Sequence, residues 1–125
     1  MRPSGPVYWI GVAVAAATVA SGAVQMLAPS FVLGMVGGAP TASADHFFAI
    51  VGMFMVLFGG LCLQGLVQWS AAPLFWSALQ KFGAVAAVAL GVCHHVFGPL
   101  ALGVAGFDLV SGLLLAWLWL GALAD

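Results

Sequence analysis

Four long apolar runs, separated by short stretches of turn-forming residues, organise the chain. They cover about 7–28, 46–68, 74–96 and 99–123. A helix that crosses a bilayer needs roughly 20 apolar residues, and each run supplies them. The breaks carry turn chemistry. Pro29 to Ala44 holds Pro29, Pro40, the Gly37-Gly38 pair, Ser30, Thr41 and Ser43. Trp69 to Pro73 reads as a short hairpin, and Gly98-Pro99 as a tight turn. Lipid offers no hydrogen bonds, so spanning segments are helices or closed barrels. Barrel strands alternate every second residue and these runs do not. The pattern predicts an all-α polytopic membrane protein, a four-helix antiparallel bundle forming one transmembrane domain over 1–125.

Composition agrees. The chain is 65% hydrophobic and 4% charged, against about 25% charged in soluble domains. Its charged side chains are Arg2, Asp45, Lys81, Asp108 and Asp125. A formal net charge of −1 provides no basic field for nucleic acid. The lipid bilayer is therefore the expected partner. The first run, preceded by Arg2, has something of a signal peptide about it. It is longer than the roughly 7–15 apolar residues of such a segment, so it is read as a retained span.

With four spans, one side of the membrane holds the N-terminus, the 69–73 hairpin and the C-terminus. The other holds the 29–45 loop and the 97–99 turn. Tyr8 and all five tryptophans, Trp9, Trp69, Trp76, Trp117 and Trp119, then fall near the first side. Tryptophan favours the membrane interface, so this convergence supports the span count. Arg2 lies on the first side, Lys81 is nearer to it, and the second side has no Lys or Arg. Positive charge stays cytoplasmic, which predicts an inner-membrane protein with both termini in the cytoplasm. Cys62 and Cys93 fall near opposite sides, roughly 20 Å apart in depth. A disulfide needs Cα atoms within about 7 Å, so no intrachain bridge is expected.

Small and polar residues recur at helical spacing in every run. The stripes are Gly11, Ala15, Thr18, Gly22 and Gln25; Ala49, Gly52 and Gly59; Ser77, Gln80, Lys81, Ala84, Gly91 and His95; and Ala101, Ala105, Asp108, Ser111 and Gly112. Such stripes are the signature of close helix packing in lipid. A solute path along the bundle axis would use the same stripes.

Two groups of residues are candidates for chemistry, the first being Asp108 and Lys81 with Gln25 and Gln80. Asp108 lies roughly 13 Å below the second side. A charged Asp at such depth costs at least about 2.5 kcal/mol, which makes function the default reading. The structural alternative is a protonated Asp bonded to Gln25 or Thr18. Lys81, about 10 Å from the first side, is the obvious partner. However, helical side chains lean toward the helix N-terminus, which carries Lys81 and Asp108 apart, and lysine can snorkel. The expectation is against a direct pair. The second group, on the other side, is Asp45, His46, Cys93, His94 and His95. Histidine and thiolate bind copper or zinc, and histidine relays protons. Yet His94 and His95 point about 100° apart on a helix, and no HExxH or paired CxxC occurs. Helix-end capping and headgroup contact explain these residues without metal, and Asp45 is placed as an N-cap. No metal, cofactor or catalytic motif is assigned.

The chain resembles the DoxX-like small four-helix membrane proteins. The resemblance rests on length, four spans, Gly52 with Gly59-Gly60, and the patches Leu79-Gln80-Lys81-Phe82-Gly83 and Phe107-Asp108-Leu109-Val110-Ser111-Gly112. It implies the four-helix fold and association with quinone or thiol redox partners, and carries no functional residue over. The leading expectation is an accessory or assembly component of a membrane complex without catalysis of its own, or a homo-oligomer. The alternative is a small transporter or proton-linked channel using Asp108 with Lys81 or the histidines. A membrane redox enzyme is third.

Overall fold

The computed structural model describes residues 3–125, and these are all-helical. Five helices follow in order: α1 (Pro6–Leu27), α2 (Pro29–Met35), α3 (Ala42–Gln68), α4 (Ala71–Cys93) and α5 (Ala101–Ala124). All but α2 are long and apolar enough to cross a membrane.

Proline and threonine set the starts. Pro6 and Pro29 open α1 and α2, at the position where a missing N–H costs nothing. The proline at 29 also disfavours helical geometry in Ala28, whose ψ of 61° breaks α1 from α2. The segment expected as a loop over 29–45 therefore contains a short helix. Thr41, rather than Asp45, caps α3, its hydroxyl accepting from the Ala44 N–H at 3.1 Å. Asp45 lies in the first turn and accepts instead from the Ser30 hydroxyl at 2.7 Å, tying α3 to α2.

Three helices end in the same way. Gly37, Trp69 and His95 have φ of 80°, 48° and 61°. Each sits where the chain leaves a helix in left-handed geometry, and the next residue's N–H bonds back five positions. These bonds run from Gly38 to Leu33, Ser70 to Gly65 and Val96 to Gly91, at 2.9, 2.9 and 2.8 Å. This is the Schellman closure. Glycine adopts that geometry freely, whereas a tryptophan or histidine there is uncommon. At Trp69 the ring N–H is held by the Asp125 carboxylate at 2.6 Å. The α4 closure stops the helix at Cys93, short of the expected 96, so His95 lies beyond the α4 stripe.

Packing is uneven. α1 packs most extensively on α3, and α4 on α5; the α3–α4 and α1–α5 seams are thinner, and α1 and α4 lie diagonally with no backbone contact. Glycines make the first pairing close. A Cβ on Gly22 would stand 2.7 Å from the Gly52 carbonyl, and one on Gly52 would stand 2.6 Å from the Met26 nitrogen. Gly59 faces Val19 and Ala15 in the same fashion. In the second pairing, the Phe82 ring lies over Gly112. A core of Tyr8, Cys62, Leu66, Leu74, Leu115 and Leu118 joins the long helices toward one end. There the Tyr8 hydroxyl donates to the Leu66 carbonyl at 3.4 Å, and Phe75 meets Trp119 with ring centroids 5.3 Å apart. At the opposite end, the Gly98 N–H donates to the Val36 carbonyl at 2.8 Å, joining the α4–α5 turn to the end of α2.

Candidate functional site

Among the described residues, the buried polar side chains are Thr18, Gln25, Ser77, Lys81, Asp108 and Ser111. All six belong to the stripes that helical spacing marks out. Three of them form one network between helices. The Lys81 ammonium donates to the Thr18 hydroxyl at 2.7 Å and to the Asp108 carboxylate at 3.3 Å. Thr18 in turn donates to the Val14 carbonyl one turn back, at 2.9 Å. The Phe107 ring lies 5.4 Å from the Lys81 nitrogen, within cation–π range. Lys81 and Asp108 are both buried, with side-chain exposures of 6% and 12%.

The direct Lys81–Asp108 pair corrects the sequence expectation, for two physical reasons. First, α4 begins at Ala71 and not near 74, so Lys81 lies roughly 4.5 Å further from the start of its helix than the apolar run implied. Second, the backward lean fixes only the Cα–Cβ bond. The four-carbon stem of lysine is long and flexible, and Thr18 and Asp108 together hold its tip buried between the helices.

The network crosses the diagonal. Thr18 is on α1 and Lys81 on α4, helices without backbone contact, so only a side chain of lysine's length joins them. Beside it lies a cavity of about 10 Å³ lined in part by Thr18, Gly59, Cys62, Ser77, Gln80 and Lys81, the rest of its wall being apolar. Ser77 donates back to the Pro73 carbonyl at 2.7 Å. Thr18, Cys62 and Ser77 thus join the site. The thiol of Cys62 gave no sequence signal, because only the α3–α4 seam places it against Ser77 and Lys81. Thr18 was visible as a stripe member, but as a partner for Asp108 and not for Lys81.

Gln25 stands apart from this site. Its side-chain amide donates to the Phe48 carbonyl on α3 at 3.0 Å, so it serves the α1–α3 contact rather than Asp108. Gln80 is half-buried at the cavity. The second candidate group does not converge. Among the described residues no three His, Cys, Asp or Glu side chains are grouped to hold a metal ion. His46, Cys93, His94 and His95 are exposed, and Asp45 is engaged by Ser30. Cys62 and Cys93 are both free thiols.

Comparison with protein-family models, with curated proteins and with solved structures gives no match to this chain.

Proposed function

We propose that the chain is an integral protein of the inner membrane, its four long helices crossing in alternating directions as an antiparallel bundle, and that it serves as an accessory or assembly component of a larger membrane complex. One observation carries this reading: the buried ionisable side chains Lys81 and Asp108 are engaged with each other, and Lys81 also with Thr18. Buried charges that satisfy one another hold helices in register. Meanwhile large apolar side chains such as Val51, Leu57, Val110 and Leu113 face outward, available to lipid or to neighbouring helices. The deciding experiment is native gel electrophoresis of gently solubilised membranes from cells producing the tagged chain. Migration within an assembly that also contains other membrane proteins, and that loses mass on deletion of this chain, is the expected result. Migration only as a monomer or homo-oligomer would overturn the reading.

The depth of the ion pair favours a second reading, a small transporter or proton-linked channel that uses Asp108 and Lys81. Vesicle flux present in the wild type and abolished by Asp108→Asn, with folding retained, would establish it. Flux unchanged by that substitution would dispose of it. For orientation, we place the end bearing Tyr8, Trp69 and Asp125 in the cytoplasm, following the positive-inside rule. A reporter fused at Asp125 should be active only in its cytoplasmic form.

A further inference from the structure

We propose that the cavity enclosed by α1, α3 and α4 is a single-water site that completes the coordination of Lys81. The water joins its ammonium to Gln80 and to the hydroxyls of Ser77 and Thr18. The inference goes beyond the functional reading above and rests on the geometry of the site alone.

The donor and acceptor count points to it. An ammonium has three N–H donors. Lys81 gives two of them to Thr18 and Asp108, and an unmatched donor on a buried charged group is costly. A hydroxyl offers one donor and two lone pairs. Thr18 spends its donor on Val14 and one lone pair on Lys81, which leaves the other. Ser77 spends its donor on Pro73 and one lone pair on the Cys62 thiol beside it, which leaves it one acceptor position. The Gln80 carboxamide, half-buried on the same wall, supplies both a donor and an acceptor and has no hydrogen bond to another described residue. The lining therefore offers several polar groups, and a buried water makes about three hydrogen bonds.

Size agrees with this count. The cavity admits the centre of a water-sized sphere over about 10 Å³, and one water needs roughly 10–15 Å³ on that measure. The location agrees as well. In lipid, a half-buried amide has no solvent partner, and a water in this cavity gives Gln80 one without exposing Lys81.

The two cysteines provide the test. Cys62 lines the cavity and is 3% exposed, whereas Cys93 is exposed. X-ray radiolysis of the full chain in lipid vesicles generates hydroxyl radicals from water where it resides, and mass spectrometry reads the oxidised side chains. The expected result is prompt oxidation of Cys62 alongside Cys93, while Leu66, fully buried away from the cavity, stays unlabelled. Ser77→Val places methyl groups in the cavity, and Gln80→Leu removes the amide. At least one of these variants, with its Cys93 labelling and helical content intact, should lose the Cys62 signal. Protection of Cys62 in the wild type would overturn the proposal. So would labelling of Leu66 in parallel with Cys62, which would indicate general opening, or a Cys62 signal that persists in both variants.

Discussion

Lys81 donates to partners on two other helices, so each side chain in its network depends on the rest. Removing one member of a buried ion pair leaves the other uncompensated and typically costs about 3–5 kcal/mol, whereas replacing both with apolar groups of similar size is often neutral. Asp108→Ala should therefore destabilise the protein by an amount in that range, measured by denaturant titration in mixed micelles. The double substitution Lys81→Met with Asp108→Leu should recover most of the loss. If the double variant is as unstable as the single one, the pair is not the unit that holds the site. Intramembrane polar contacts average only about 0.6 kcal/mol, and a loss of that size on Asp108→Ala would assign the pair a minor structural role. Thr18→Val removes one hydrogen bond to a charged group, worth about 1.5–3 kcal/mol. Thr18→Ser keeps the hydroxyl and should restore the wild-type titration.

Between helices, backbone proximity dominates the α1–α3 pairing, and neighbouring glycines separate its contribution from helix propensity. A Cβ at Gly59 would stand 2.6 Å from the Val19 side chain and 3.1 Å from the Ala15 carbonyl, while one at Gly60 meets nothing within 4 Å. Gly59→Ala should cost about 1–3 kcal/mol through overpacking. Gly60→Ala should be neutral or stabilising by up to about 1 kcal/mol, since alanine is the better helix former. Equal effects from these adjacent substitutions would refute the close approach of α1 to α3. The helix ends were less legible than the stripes. Trp69 and His95 carry no sequence mark of a left-handed closure, because that geometry is normally given to glycine. The backbone bonds from Ser70 to Gly65 and from Val96 to Gly91 make the closures. Those closures set where α4 begins and ends, and so the depth of Lys81.

For the whole molecule, the network at Thr18, Lys81 and Asp108 ties the α1–α3 pair to the α4–α5 pair across seams that are otherwise thin. The aromatic end offers a separate test of how the molecule sits in a bilayer. Trp9, Trp76 and Trp117 are exposed, and tryptophan settles at the interface. In vesicles, lipids brominated near the headgroup should quench tryptophan emission more strongly than lipids brominated near the chain ends. Stronger quenching from the chain ends would contradict the proposed span boundaries.

Apolar run length and helical spacing determined the four long helices, and the recurrence of small and polar residues determined their inward faces. Both are local properties, repeated many times along each run, so they survive errors of a few residues in any boundary. Gly22, Gly52, Gly59, Thr18, Lys81 and Asp108 were all placed on those faces from the sequence. Which of them touch was decided by tertiary structure. The partner of Lys81 depends on the start of α4, on the reach of a flexible stem and on a diagonal arrangement of α1 and α4. Gln25 had the same spacing as Thr18 and went to the Phe48 carbonyl. Cys62 entered the site through the α3–α4 seam alone. Spacing specifies a face, whereas a contact also requires depth and a neighbour, and those come only from the packed helices.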